Sequence, residues 1–177
     1  MSYTSLLRAS VRKHNSLLCL GVDIPPSLLT GSPSFYVGIV LSFYETFLHK
    51  LEKLSLLPAA VKINLAHLEA APYHAPTIKA ELTRMAKDLG LVVIHDGKRG
   101  DVSSSAKEYA KSSYRVPPNP YSIPDAVTVN PYMGTDSISP FLSYAEEDKG
   151  TYILVRTSNT GGLQFRTFSF SMENPFI

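Results

Sequence analysis

Apolar runs and helical patterns alternate along the chain. Residues 17–22 form a near-continuous apolar run that ends at Asp23, and Pro25-Pro26 stops it. Residues 35–56 carry apolar side chains at helical spacing, with Glu45, Lys50, Glu52 and Lys53 between them. A second strand is expected over residues 59–63, interrupted by Lys62. Residues 77–89 read as a helix, with Gly90 suited to its C-terminal cap. A third strand over residues 91–94 leads into His95, Asp96, Lys98 and Asp101. Residues 103–113 read as a helix with serines available to cap its start. A fourth strand over residues 126–130, a helix over residues 136–147 and a fifth strand over residues 152–157 complete the pattern. Ahead of them, Leu6, Leu7 and Val11 mark one side of a short amphipathic helix. Residues 117–124, with four prolines, read as a rigid surface loop, and residues 166–177 as a loosely alternating tail.

Apolar strands separated by helices predict a parallel α/β sheet covered on both faces. Polar residues collect where the strands end: Asp23, Lys62 with Asn64, Asp96 with Lys98, Asn130, and Thr157 with Ser158. In parallel α/β folds that end carries the ligand.

Composition narrows the function. The 177 residues suffice for one domain with a real core, expected to span residues 1–177. A formal net charge of +2, with scattered Lys and Arg, predicts neither a nucleic-acid nor a membrane partner. No apolar stretch is long enough to span a bilayer, and residues 17–22 are too short for a secretory signal core. The first 22 residues lack acids and carry Arg8, Arg12 and Lys13, a weak likeness to a transit peptide. A cytoplasmic enzyme is the simpler expectation. The single cysteine, Cys19, excludes an internal disulfide and is expected to be a buried, inert thiol. The five histidines lack metal-site spacing, and His95 is expected to face away from Asp96 and pack against a helix.

The charged run at the end of the third strand is the strongest chemical signal. Asp96 and Lys98 are two apart, so they share a face where the strand runs out. Asp101 follows on the loop, after Gly100 gives the backbone freedom to turn. Such a cluster can be a solvated loop with a surface ion pair. It can equally hold a proton donor and oppose a substrate anion. Spacing alone leaves both readings open.

Five ordered blocks decide between them. Asp96-Gly97-Lys98-Arg99-Gly100-Asp101 closely resembles the signature of the orotidine 5′-phosphate decarboxylase family, bacterial-type branch. Leu20-Gly21-Val22-Asp23, the block Val61 to Glu69 around Lys62, residues 125–137 with Asn130-Pro131-Tyr132, and Thr157-Ser158-Asn159 resemble the same family in the same order. The resemblance implies a (β/α)8 barrel, of which about the first five β/α units are present. It implies decarboxylation of orotidine 5′-monophosphate to uridine 5′-monophosphate with no cofactor and no metal. It makes Lys62, Asp96, Lys98 and Asp101 the catalytic set, and Asp23, Ser105 and Ser158 the substrate contacts. It also implies a homodimer, because in the family the second aspartate and a nearby threonine, here Ser105, reach into the partner's site. Ser103 stands where the family has glycine, and His67-Leu68 where it has aromatics. The family's phosphate-gripping glutamine and arginine lie after later strands, where a full barrel takes about 250 residues. The chain is therefore expected to be a fragment or a natural truncation. Two alternatives stand beside this reading: a related magnesium-dependent sugar-phosphate lyase or decarboxylase, and a non-catalytic remnant acting at most as an interaction partner.

Overall fold

The computed structural model describes residues 2–25, 32–70, 74–115 and 122–162. Pro26, most of the proline-rich stretch and the 166–177 tail lie outside them. The chain runs α1 (Tyr3–His14), β1 (Cys19–Val22), α2 (Pro33–Lys53), β2 (Ala60–Asn64), α3 (Leu65–Glu69) and α4 (Ala75–Asp88). It continues through β3 (Val92–Arg99), α5 (Ser103–Tyr114), β4 (Ala126–Val129), α6 (Thr135–Leu142), a 3-10 turn over Ser143–Glu147 and β5 (Gly150–Ile153).

The five strands form one sheet in the order β1-β2-β3-β4-β5, and every neighbouring pair is parallel. Strand order that follows chain order, without a reversal, is how a barrel wall grows; a doubly wound sheet changes direction. The parallel sheet is the one that the alternation of elements predicts, and its strand order is that of the partial (β/α)8 barrel that the family resemblance implies.

Period-2 alternation sorts the two faces. Val22, Val61, Ile63 and Val93 pack with Val40, Tyr44 and Leu48 of α2 and Ile78, Leu82 and Ala86 of α4. Val127 and Val129 pack on Ala106, Ala110 and Tyr114 of α5 and Phe141 of α6. The other face carries Ala60, Val92, Ile94 and Ala126, and there the apolar side of α1 settles through Tyr3, Leu6 and Leu7. Buried Ser10 ties α1 to the sheet by donating to the Ala59 carbonyl at 2.6 Å. The Tyr3 and Tyr152 hydroxyls meet at 2.8 Å. The amphipathic N-terminal helix is thus present, and it closes the inner face near the strand starts. No helix among the described residues is long and apolar enough to cross a membrane.

Five expectations need correction. The third strand, expected over residues 91–94, runs Val92–Arg99, so Asp96 and Lys98 lie within it. Cys19 is exposed rather than buried, because it shares the parity of Ala60 and Lys62 and so lies on the inner face. The fifth strand begins at Gly150 and stops at Ile153, although apolar residues continue to Val155. Its neighbour β4 ends at Val129, and the last pairing bond runs from Leu154 N–H to the Val129 carbonyl. The helix expected over residues 136–147 is α-helical only to Leu142, with Pro140 inside it, and tightens into the 3-10 turn. No serine caps α5, since Ser103 is already its first residue and the cap position is Val102. Gly90 does follow α4 with φ 77°, as the capping expectation requires. The short helix α3 had no counterpart in the pattern. It starts because the Asn64 side chain accepts the Ala66 N–H at 3.2 Å.

Candidate active site

The inner-face positions of β2, β3 and β4 bring polar groups together where these strands end. Lys62 and Asn64 share parity with Ala60; Asp96 shares it with Val92 and Ile94; Thr128 shares it with Ala126. Asp96 is the hub and is 6% exposed. Lys62 Nζ donates to its Oδ2 at 2.6 Å, Lys98 Nζ to its Oδ1 at 2.7 Å, and Thr128 Oγ1 to Oδ1 at 2.8 Å. Burial alone pushes this carboxyl up. The hydrogen bonds from Lys62, Lys98 and Thr128 outweigh it and hold the group at about 2. The cluster is therefore a carboxylate clamped between two ammonium groups.

Lys98 reaches its place through an irregular backbone. β3 and β4 pair at His95↔Val127 and again at Arg99↔Val129. Asp96, Gly97 and Lys98 consequently bulge opposite the single residue Thr128. Lys98 sits in the left-handed region with φ 47°, a costly place for a side chain-bearing residue and a frequent mark of a functional position. Its backbone N–H donates to Thr128 Oγ1 at 2.9 Å. The special conformation expected at Gly100 thus falls on Lys98. Gly100 is needed for space instead, since a Cβ there would stand 3.0 Å from the Asn130 backbone and Cβ.

The remaining polar residues divide. Asp23, exposed just past β1, accepts from Asn64 Nδ2 at 2.6 Å. Arg99 turns away from the cluster to pair with Glu69 and lie over the Tyr109 ring. His95 faces outward as expected: it is buried and bonds Thr83 of α4 at 2.9 Å, and burial holds it neutral with a pKa of about 3. Asp101 accepts the adjacent Val102 N–H at 2.7 Å and makes no bond to Lys98. Ser105, half-buried in the first turn of α5, and Ser158, exposed beyond β5, make no hydrogen bond to the cluster. Within one chain, then, Lys62, Asp96 and Lys98 assemble, while Asp101, Ser105 and Ser158 do not join them. Among the described residues no group of three His, Cys, Asp or Glu is placed to hold a metal ion.

Thr128 was not among the candidates. A Thr in Ala126-Val-Thr-Val129 reads as strand propensity. The available signal was its parity with Ala126 and Asn130, which puts it on the face of Asp96. Asn64, at its own strand end, holds Asp23 through the bond from its Nδ2.

The clamp has a consequence for acid stability. Folding lowers the Asp96 midpoint from its ordinary 3.8 to about 2. The resulting stabilisation, on the order of 2 kcal/mol, is complete above about pH 4 and is lost as pH falls toward 2. Asp96→Asn should unfold earlier at neutral pH and lose its share of the slope between pH 4 and 2. Denaturant midpoints across that range measure it, and two parallel profiles would contradict it.

The family model for the Orotidine 5′-phosphate decarboxylase / HUMPS family matches residues 16–170. A protein of Albidiferax ferrireducens named orotidine 5′-phosphate decarboxylase is 37% identical over 163 residues, covering 92% of this chain and 53% of that protein. Another of that name from Ralstonia pickettii is 38% identical over 164 residues, covering 92% and 56%. The structure of Leishmania donovani OMP decarboxylase superposes with a TM-score of 0.76 at 28% identity, covering 96% of this chain and 59% of that one. The chain spans about half the length of the curated relatives it matches.

Proposed function

This chain belongs to the Orotidine 5′-phosphate decarboxylase / HUMPS family, and from that premise we propose that the protein it forms decarboxylates orotidine 5′-monophosphate to uridine 5′-monophosphate. The observation that carries the reading is the Lys62–Asp96–Lys98 clamp at the strand ends, with Lys98 held in an unusual backbone conformation. The bond from pyrimidine carbon 6 to the carboxylate breaks, carbon dioxide leaves, and the electron pair stays on carbon 6. That pair has no π system to spread into, so its stabilisation must be electrostatic. The Lys98 ammonium supplies it and then transfers a proton to carbon 6, to be reprotonated by solvent. Asp96 keeps Lys98 charged and aimed, and Lys62 neutralises the other Asp96 oxygen. Asp23, steadied by Asn64, contacts the ribose hydroxyls. Ser158 reads the pyrimidine ring.

In this reading the protein is a cytoplasmic homodimer, residues 1–177 are one incomplete barrel domain, and no metal or cofactor takes part. Asp101 and Ser105 act on the partner's site; in one chain neither hydrogen-bonds Lys98. Loss of orotate absorbance from orotidine 5′-monophosphate, with a chelator present, tests the reaction. No turnover of orotidine 5′-monophosphate, together with magnesium-dependent turnover of a sugar phosphate, would favour the sugar-phosphate reading instead. The chain is assayed both alone and extended by the remaining barrel units of the Ralstonia pickettii relative. For the shared site, inactive Lys98→Ala protomers of the extended chain are mixed with inactive Asp101→Ala protomers. Activity should return to roughly a quarter of wild type at random exchange, because half the dimers are mixed and each has one intact site. No recovery after verified exchange would show that each subunit's site is self-contained.

A further inference from the structure

We propose that Thr128 is a positioning residue for this site: its one hydroxyl replaces the ladder bond that β3 loses at the bulge and locks Lys98 to Asp96. The argument starts from backbone pairing. Between His95↔Val127 and Arg99↔Val129, three residues of β3 face one residue of β4, so regular pairing cannot satisfy them. The Lys98 N–H is left without a strand partner, and Thr128 Oγ1 accepts it at 2.9 Å. The same hydroxyl spends its single proton on Asp96 Oδ1, at 2.8 Å. Lys98 Nζ donates to that same oxygen at 2.7 Å. A closed loop results: Lys98 backbone to Thr128, Thr128 to Asp96, Asp96 to the Lys98 ammonium. It fixes both ends of the lysine, whose side chain is otherwise 47% exposed.

The left-handed backbone at Lys98 needs such a restraint, since it survives only where its surroundings over-determine it. Thr128 itself is 8% exposed, so water competes poorly for its hydroxyl. The ordinary alternative is that Thr128 serves the strand through β-propensity and packing. Valine separates the two, being β-branched, nearly the same shape and unable to make either bond. Serine keeps the hydroxyl and drops the methyl.

The charged groups facing Asp96 are Lys62 from β2 and Lys98 itself; Cys19 of β1 is the other titratable neighbour. None of them changes in these variants. The experiment is carbon-13 NMR of the Asp96 carboxyl in wild type, Thr128→Val and Thr128→Ser, on the chain extended by the remaining barrel units. In Thr128→Val the Asp96 midpoint should rise by about one pH unit, the loss of a hydrogen bond to a charged acceptor. Thr128→Ser should restore it. The kinetic consequence rests on the decarboxylase reading above. In the extended chain, Thr128→Val should lower kcat about 10- to 100-fold with KM nearly unchanged, as expected when a reacting group is displaced by about 1 Å. Thr128→Ser should recover most of it. An unmoved Asp96 midpoint in Thr128→Val, or a serine variant as impaired as valine, would overturn the positioning role. A moved midpoint in a protein that releases no carbon dioxide would keep the positioning role and refute the decarboxylase reading.

Discussion

Lys98→Ala should lower decarboxylation by at least three orders of magnitude in a barrel that carries this site. Removing one preorganised electrostatic group costs about 10² to 10³. In the proposed mechanism the proton donor is lost as well, which adds about 10² or more. The substitution also leaves the buried Asp96 Oδ1 with Thr128 as its remaining donor. Lys98→Arg should not rescue the rate. A guanidinium keeps charge but does not give up its proton, and its planar fork does not fit a position built for one Nζ. Lys62→Ala should be damaging but less so, since Lys62 compensates the far Asp96 oxygen rather than delivering a proton. A Lys98→Ala protein that keeps a tenth of wild-type kcat, measured on carboxyl-labelled substrate, would remove Lys98 from the mechanism.

The 177-residue chain by itself should turn over at least about 100-fold more slowly than its full-length relatives, and should melt poorly or aggregate. Among the described residues β1 pairs only with β2, and β5 only with β4. Two open parallel edges invite pairing with other chains. The segments beside them expose large apolar groups: Leu17 at 89%, Leu18 at 70% and Val155 at 87%. Between α1 and the inner sheet face lies a cleft of about 420 Å³, lined by Leu7, Val11, Cys19, Lys62, Ile94 and Thr128. In a closed barrel such space is filled by facing strands. The common phosphate site of this fold lies after strands seven and eight. Without it, binding energy that would support the chemical step is lost along with affinity. Light scattering, thermal melts and turnover beside the Ralstonia pickettii relative test this. A soluble chain with a cooperative melt and comparable turnover would contradict it.

Most of the strands and helices are legible in the sequence because continuous apolar runs and helical spacing come from burial, which is local information. Val22, Val61, Ile63 and Val93 lie in those runs, and the sheet puts them on the helix-covered face. What escapes depends on neighbours. Cys19 belongs to an apolar run, yet its exposure is decided by whether the opposite wall is there. Leu154 and Val155 look like strand, yet β5 ends where β4 stops offering partners. The same division holds at the site. Asp96 and Lys98 lie two apart and do meet, but through a bulge rather than simple alternation, and the bulge follows from register against β4. Thr128 is invisible as chemistry because its role exists only once three residues face one. Asp101, Ser105 and Ser158 carry motif identity that a single chain does not gather.

Release of labelled carbon dioxide from carboxyl-labelled orotidine 5′-monophosphate tests the assignment of Lys62, Asp96 and Lys98 most directly. The chain extended by the relative's remaining barrel units is compared with its Lys98→Ala form, both verified as folded by a cooperative melt and both in the presence of a chelator. The predicted result is chelator-insensitive release by the first, at least about 10³-fold above the second. A folded, extended chain that releases no label, or releases it equally well without Lys98, would contradict the assignment.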